Sequence, residues 1–328
     1  MTCLPAYAQF VPDRGSTASH WKEPIGGLDG YHWLNDREVL YTQHSTPSYR
    51  YFKWNVTTGA EQDLQELTRT VHESLPSIVF PPRVFPSPNG RYVAWISSNN
   101  GGAILLVSSI EGSVITSHTY QTCIHYPCWS EDSQRCFCFL DGIEFIEGDA
   151  YTAITDISAI SMNMPFAVKT HPIVDGGLRE STDAFLPVLS NMHFKGSSAI
   201  FVIVKDADDS TRPAIEEYKF TDSAKSINNH TVDMPSHFLV INAIISPTGD
   251  FVAWRFRNED AAEIWISDVR GKNMVRLGRL LQKETVLPGV PGRFDRSELQ
   301  WLPSGKGISF REAGELWVAY PNIRVHSN

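Results

Sequence analysis

The feature that most constrains the fold of this chain is a short phrase that recurs along it. In each copy an aromatic or apolar residue precedes a polar turn, and a run of alternating apolar residues follows. The clearest copies are Pro-Ser-Pro-Asn-Gly at 86–90 before Tyr-Val-Ala-Trp at 92–95, Ile-Ser-Pro-Thr-Gly at 245–249 before Phe-Val-Ala-Trp at 251–254, and Trp-Leu-Pro-Ser-Gly at 301–305 before Ile-Ser-Phe at 308–310. Such repetition indicates an architecture in which each unit buries its apolar face against the next.

Six repeats are found when the residue before each turn is used as a marker. These markers are Trp33, Pro86, Trp129, Phe194, Ile245 and Trp301. They are spaced roughly 40 to 65 residues apart, near or above the propeller-blade periods of about 40 to 50 residues. Each turn is followed by strand-like runs joined by short polar connections, and short connections reverse the chain direction. The pattern therefore predicts an all-β fold, a six-bladed β-propeller of four-stranded antiparallel blades.

The turn and its neighbouring strands resemble the TolB-type propeller repeat, also called the WD40-like or PD40 repeat. The resemblance rests on Trp-Ser-Glu-Asp at 129–132, Ser-Pro-Thr-Gly at 246–249 and Leu-Pro-Ser-Gly at 302–305, each followed by an apolar strand. It covers the chain from residue 30 or so to the C-terminus and implies a six-bladed propeller. It does not imply TolB itself, because the α/β domain that precedes the TolB propeller is missing from this sequence.

The fourth repeat departs most from the pattern. Its turn, at 191–196, has lost the Pro, and residues 160–190 form a long insertion before it. A seventh, degenerate blade in this insertion is the alternative to six. We expect residues 28–328 to form one propeller domain. Residues 1–27 form a separate N-terminal segment, either a signal-peptide remnant or a strand that closes the ring.

Two features bear on the cellular compartment. The small-x-small pattern ending at Ala8 predicts cleavage after that residue by a signal peptidase. Removal of Cys3 would leave an even set of cysteines, which would form one or two disulfides in an oxidising compartment or serve as reduced core residues. That set is Cys123, Cys128, Cys136 and Cys138. Both features favour a periplasmic or secreted protein over a cytoplasmic one and leave the redox state open.

Composition excludes several classes of function. Of the 328 residues, 42% are hydrophobic and 11% aromatic, enough for a packed interior. The net charge of -9 is spread without a basic stripe, so we expect no nucleic-acid partner. No apolar run is long enough for a transmembrane segment. The acidic stretch at 206–209 lacks the Gly and distal Glu of a calcium loop, and we expect no metal, no cofactor and a monomer.

The function that follows is a non-catalytic interaction module that binds a protein, peptide or glycan. Loops between the second and third strands of a blade project to one face, and loops on a rigid scaffold commonly bind. Polar and amphipathic residues in these loops are the candidates for a ligand or partner face. They are His44, Tyr49, Arg50, Arg212, Arg257, Asn258, Arg311 and Glu312.

A propeller enzyme, a lyase or hydrolase acting on a sugar polymer, is the alternative function. His32 and His193 precede the markers of the first and fourth repeats, so both are expected to line the central channel. Together with Glu312 they would supply acid and base groups. The sequence lacks the nucleophile elbow, the phosphate-binding loop and the zinc-protease motif, so we assign no catalytic residues.

Overall fold

The computed structural model of the chain describes residues 10–25, 28, 30–45, 48–75, 83–99, 102–121, 124–146, 149–162, 168–172, 178–179, 193–195, 198–207, 210–220, 224–232, 234, 239–257, 262–280, 299–312 and 314–322. Over these residues the regular structure is one helix and 26 strands, as an all-β fold requires. None of the helical structure within these ranges is long and apolar enough to span a bilayer.

Two N-terminal strands come first, β1 (Phe10–Pro12) and β2 (Ser16–Lys22). The remaining strands follow one another along the chain in six groups, each forming one sheet. Sheet 1 contains β3 (Gly30–Asn35), β4 (Glu38–Ser45), β5 (Ser48–Asn55) and β6 (Glu61–Asp63), and the helix α1 (Gln65–Ser74) follows it. Sheet 2 contains β7 (Arg83–Pro86), β8 (Tyr92–Asn99), β9 (Gly102–Ser109) and β10 (Val114–Tyr120). Sheet 3 contains β11 (Ile124–Trp129), β12 (Arg135–Ile146), β13 (Asp149–Ser161), β14 (Val168–Pro172) and β15 (Leu178–Arg179). Sheet 4 contains β16 (His193–Lys195), β17 (Ser198–Ala207), β18 (Ser210–Phe220) and β19 (Ala224–Thr231). Sheet 5 contains β20 (Leu239–Ile245), β21 (Phe251–Arg257), β22 (Ala262–Asp268) and β23 (Val275–Leu280). Sheet 6 contains β24 (Gln300–Trp301), β25 (Ile308–Glu312) and β26 (Glu315–Pro321).

Each sheet is an antiparallel meander whose strands pair in chain order. The N-terminal strands depart from this order, because β1 pairs with β23 in sheet 5 and β2 pairs with β26 in sheet 6. In sheet 3 the short strand β15 pairs with β13 beside β14. The described parts of the 160–190 insertion thus add strands to sheet 3.

The recurrent Ser-Pro-x-Gly phrase forms the turn between the first and second strands. Ser87 exchanges two backbone hydrogen bonds with the turn: its N–H donates to the Tyr92 carbonyl and its carbonyl accepts from Gly90. The Ser87 hydroxyl accepts a third bond, from the Tyr92 N–H at 3.0 Å. Gly90 has φ +66°, in the left-handed region that Gly tolerates. Ser246 and Gly249 repeat this arrangement in sheet 5, so the phrase reports a specific turn geometry.

Tryptophans at the ends of first strands tie neighbouring sheets together. The indole N–H of Trp129 in sheet 3 donates to the carbonyl of Phe85 in sheet 2 at 2.8 Å. Trp301 in sheet 6 donates in the same manner to the carbonyl of Ile244 in sheet 5 at 2.9 Å. Two of the tryptophan markers therefore bond to the first strand of the repeat before them, which gives tryptophan a role at these positions.

Neighbouring sheets contact each other in chain order, and the last contacts the first. The contacts run from β3 to β7, from β8 to β11, from β11 to β16, from β17 to β20 and from β20 to β24. The indole N–H of Trp33 in sheet 1 donates to the hydroxyl of Ser309 in sheet 6 at 2.7 Å. Antiparallel sheets stacked radially in this way form a β-propeller.

Aromatic side chains fill the space between sheets. Trp254 in sheet 5 is fully buried against Val202 and Ile215 of sheet 4, and its indole N–H donates to Ser267 Oγ at 2.9 Å. Seven of the nine tryptophans are buried, namely Trp33, Trp54, Trp95, Trp129, Trp254, Trp301 and Trp317. Trp265 is partly buried. Burial of large aromatic surface between the sheets is a main stabilising contribution to this fold.

The helix α1 is an element that the repeat did not predict. It lies between sheets 1 and 2 and buries Leu67, Val71 and the following Leu75 in a cluster with Tyr51 and Trp95. Gly112 lies so close to the first turn of the helix that a Cβ there would overlap its backbone. The apolar spacing of Leu67, Val71 and Leu75 is typical of an amphipathic helix and was the available sequence signal.

Candidate functional site

The propeller has two unlike faces, defined by how the second strand of each sheet runs. That strand begins at the Ser-Pro-x-Gly turn and ends at the hairpin to the third strand, so these two connections lie at opposite ends of each sheet. Turns of neighbouring sheets touch: the Ser304 N–H donates to Asp36 Oδ1 at 3.1 Å, and the Asn89 N–H donates to Ser133 Oγ at 3.2 Å. We call this end the turn face and the opposite end the hairpin face.

The hairpin face is uneven in height. The second strand has 12 residues in sheet 3 and 10 in sheet 4, but 8 in sheets 1 and 2. It has 7 residues in sheet 5 and 5 in sheet 6. At about 3.3 Å per residue, β12 is about 23 Å longer than β25. Sheets 3 and 4 therefore form a high side and the other four sheets a low side, of which sheets 5, 6 and 1 carry most of the candidate residues.

Arg50 and Tyr49 lie at the start of β5 on the low side. The Arg50 side chain is 51% exposed, forms an ion pair with Asp63 and lies over the Phe52 ring, 5.2 Å from its centroid. Tyr49 is 7% exposed and packs edge-on against Tyr51. Burial raises the pKa of Tyr49 to about 12. Arg50 is thus held towards solvent by a carboxylate and an aromatic ring, while the adjacent Tyr49 is buried in an apolar cluster with Tyr51.

Arg311, on β25, is held by a carboxylate from the N-terminal part of the chain. Its guanidinium donates to both carboxylate oxygens of Glu23, at 2.7 and 2.8 Å. The Glu23 side chain is 6% exposed and the Arg311 side chain 23% exposed. Bidentate pairing fixes the plane of a guanidinium, so Arg311 has a defined orientation at the edge of the low side.

The other loop candidates are placed by strand register. His44 pairs with Tyr49 in sheet 1, and Arg212 pairs with Lys205 in sheet 4. Arg257 pairs with Ala262 at the hairpin end of sheet 5, and Glu312 pairs with Glu315 in sheet 6. Asn258 lies outside the described residues. The candidates are therefore distributed over four sheets, most of them on the low side.

The two channel candidates lie against neighbouring sheets. The His32 ring in sheet 1 is 6.2 Å from the Phe85 ring of sheet 2, and burial lowers the pKa of His32 to about 4. The His193 ring of sheet 4 lies against Gly249 in the turn of sheet 5, leaving no space for a Cβ at that position. Each histidine thus contributes to a different contact between sheets. At neutral pH His32 is uncharged.

The described cysteines are buried thiols. Cys128, Cys136 and Cys138 are free, and Cys123 lies outside the described residues. Burial raises the pKa of Cys138 to about 12 and those of the other two well above their ordinary value. Buried protonated thiols are poor nucleophiles and poor metal ligands. Over the described ranges no group of three or more His, Cys, Asp and Glu residues is arranged to hold a metal ion.

Sequence reasoning missed the acidic partners of the candidate arginines. Glu23 and Arg311 are 288 residues apart in the chain. Asp63 is closer to Arg50, but the two lie on adjacent strands of sheet 1 that only the fold aligns. Neither pair has a local spacing signal, so only the folded chain identifies these partners.

Comparison with known proteins supports the fold. No protein-family model and no curated protein matches this sequence. Among solved structures, the β-propeller domain of the trilobed protease from Pyrococcus furiosus is similar with a TM-score of 0.50 and 8% identity, over 98% of this chain and 99% of that domain. Identity this low relates the two proteins by fold alone.

TolB structures are also similar. TolB from Acinetobacter baumannii has a TM-score of 0.47 and 14% identity over 89% of this chain and 65% of that one. A putative TolB from Agrobacterium tumefaciens has a TM-score of 0.48 and 10% identity over 93% of this chain and 97% of that one. This chain therefore spans less than two thirds of the A. baumannii protein. Its class is the β-propeller, with a fold similar to those of TolB and other propeller proteins.

Proposed function

We propose that this chain is a non-catalytic interaction module, a six-bladed β-propeller that binds a protein, peptide or glycan on its hairpin face. Six blades are supported by the six sheets of the described residues and by the bond from Trp33 to Ser309, which joins sheet 6 to sheet 1. Pairing of β14 and β15 with β13 supports assigning the 160–190 insertion to the third blade. In this proposal residues 28–328 form one propeller domain.

The observation that carries the proposed binding role is the uneven hairpin face. A partner resting on sheets 5, 6 and 1 would be flanked by the projecting hairpins of sheets 3 and 4, and a recess with a wall offers more contact area than a flat face. Arg50 and Arg311 lie on this low side with orientations set by carboxylates. Arginines held in place lose little conformational entropy on binding, which favours their use as contacts.

The remaining candidates have defined places in this proposal. His44, Arg257 and Glu312 would surround the same low side, with Asn258 beside Arg257 in the chain. Arg212 would contact a partner from the high side. Tyr49, being buried, would act beneath the surface by supporting the strand that presents Arg50.

A pull-down from the source organism tests this role. The probe is immobilised wild-type protein, compared with an Arg50→Ala, Arg257→Ala, Arg311→Ala variant and with a matched control. The control replaces three arginines away from the hairpin face, Arg37, Arg91 and Arg270, all exposed. A partner retained by the wild type and the control but lost with the hairpin-face variant supports the proposal. Equal recovery of each partner by all three proteins rejects the hairpin face.

The propeller-enzyme alternative is addressed with the same proteins. Retardation in affinity gels that contain a polysaccharide measures binding. Incubation with the same polysaccharides, followed by detection of new reducing ends or unsaturated products, measures cleavage. The binding-module proposal expects retardation or protein capture without products. Product formation that is lost in a His32→Gln, His193→Gln variant would replace it with the enzyme assignment.

A further inference from the structure

Residues 10–22, which we call the strap, join the outer edges of two sheets. β1 pairs with β23 through Phe10, Val11 and Pro12, which makes sheet 5 five-stranded, and β2 supplies the outer strand of sheet 6. Backbone bonds hold the turn between them, with the Asp13 N–H donating to the Leu277 carbonyl at 2.8 Å. The strap is therefore bound by main-chain pairing on two neighbouring sheets, as an extended peptide would be.

One aromatic side chain fastens the start of the strap. Phe10 is 2% exposed and lies in an apolar cluster with Ile264 and Leu280 of sheet 5. Its ring centroid is 4.9 Å from that of Phe310 in sheet 6 in an edge-on arrangement. Gly278 provides the space, because a Cβ there would overlap the Phe10 ring and the Val11 carbonyl. The two sheets thus contain a pocket shaped for an aromatic ring.

A carboxylate three residues after Phe10 is also recognised. Asp13 accepts hydrogen bonds from the Arg276 guanidinium, at 2.5 and 3.3 Å. Arg276 also donates to Glu263, which is 3% exposed and receives a further bond from Arg279 at 2.8 Å. The indole of Trp265 donates to the second oxygen of Glu263 at 2.8 Å.

The surface beneath the strap retains its own pairing when the strap is taken away. Glu263 keeps its bonds from Arg276, Arg279 and Trp265, all within sheet 5. Sheet 5 keeps the four strands β20 to β23, and sheet 6 keeps β24 to β26. Removal of residues 10–22 therefore leaves the buried Glu263 with its partners, and an unpaired buried charge would have made release costly. A fragment that extends to Ile25 also carries Glu23, so its release separates Glu23 from Arg311 in sheet 6.

We propose that the strap is a detachable peptide ligand bound in cis, and that the groove on sheets 5 and 6 is a binding site for an extended peptide with an aromatic residue three positions before a carboxylate. The native occupant is the chain's own residues 10–22. We expect the strap to leave the two sheets as one unit, because β1 and β2 are consecutive strands and Phe10 and Asp13 anchor the end of the strap at β1.

Cleavage of the full chain beside the strap tests this proposal. A protease recognition sequence is inserted after Ile25, whose side chain is 99% exposed, and the folded protein is cut there. Size-exclusion chromatography with mass spectrometry then measures how long the N-terminal fragment stays with the body. We expect the fragment to remain bound and to be exchanged by a synthetic peptide of residues 10–23, while the body keeps its circular dichroism spectrum after exchange and after loss of the fragment.

Matched variants locate the binding energy. Phe10→Ala in the cut protein should weaken fragment retention about 100-fold or more, because the buried ring is lost. Val11→Ala, on the same strand but 40% exposed, should leave retention unchanged. If Phe10→Ala prevents folding, the wild-type protein is cut instead, and a synthetic peptide of residues 10–23 with that change is tested for its ability to displace the bound fragment. Immediate loss of the wild-type fragment, equal effects of the two variants, or unfolding of the body on release would each overturn the proposal.

Discussion

Sheet 5 and sheet 3 show two different uses of one repeated unit. Sheet 5 has second and third strands of 7 residues each, a fully buried Trp254 and an added strand from the N-terminus. Sheet 3 has strands of 12 and 13 residues in the same positions. Its neighbour across β11, sheet 2, has a second strand of 8 residues. The end of the sheet 3 hairpin therefore extends past the sheet beside it. The comparison distinguishes residues that pack between sheets, as in sheet 5, from residues that project beyond them, as in sheet 3.

The largest effect is expected from removing the central aromatic of sheet 5. Trp254→Ala should lower the free energy of unfolding by about 3 to 5 kcal/mol, because it opens a void between sheets and deprives Ser267 of its indole donor. Urea unfolding followed by circular dichroism measures the change. Val275→Ala, on the same sheet but 54% exposed, is the control and should stay close to the parent protein. Indistinguishable unfolding curves for Trp254→Ala and the parent would contradict the packing described for sheet 5.

An acid-dependent effect is expected from His32 at the packed contact of sheets 1 and 2. Its pKa of about 4 in the folded protein lies below the ordinary value of 6.5, so the unfolded chain takes up the proton first. The stabilising contribution is present above pH 6.5 and is lost as the pH falls towards 4, by up to about 3 kcal/mol. Urea unfolding at a series of pH values should show this decline in the parent and a shallower one in His32→Gln. Parallel pH profiles for the two proteins would argue against burial of this ring.

A smaller effect is expected at the position that accommodates the strap. Gly278→Ala places a methyl group against Phe10 and the Val11 carbonyl and should cost about 1 to 3 kcal/mol. Gly30→Ala is the matched control, since a Cβ there has no atom within 4 Å. Hydrogen exchange should locate the Gly278→Ala effect in β1 and β2. Equal exchange in both variants would mean that the strap does not need this space.

The smallest effect on stability is expected from shortening the projecting hairpin of sheet 3. Deletion of residues 143–146 and 149–152 removes four pairs and leaves β12 at the 8 residues found in β4. Because this part extends past the neighbouring strand of sheet 2, the free energy of unfolding should change by less than about 1 kcal/mol. Thermal and urea unfolding give the stability, and the pull-down gives the effect on any partner. A stability loss like that of Trp254→Ala would show that the hairpin belongs to the packed body.

The repeat predicted much of the fold because its signals are local. The turn at 246–249 contains its own hydrogen bonds and a left-handed Gly, so four consecutive residues carry the information. The repeat did not predict the helix α1, although the spacing of Leu67, Val71 and Leu75 is typical of an amphipathic helix. Local signals predicted the candidate site less well, because Tyr49 is buried and Arg311 forms an ion pair with the distant Glu23. Exposure and partner choice depend on which distant strands become neighbours.

By itself the sequence determined the all-β class, the antiparallel strands, the turn chemistry and the recurrence of tryptophan at the end of first strands. These properties arise from backbone conformation and from the alternation of apolar and polar residues over a few positions. Only the tertiary structure decided that the strap joins sheets 5 and 6, that Gly278 makes room for Phe10, and that the hairpin face has a high and a low side. The first two properties arise from contacts between residues hundreds of positions apart, which exist only in the folded chain. The third depends on how the hairpins of different sheets are placed side by side, which the fold alone decides.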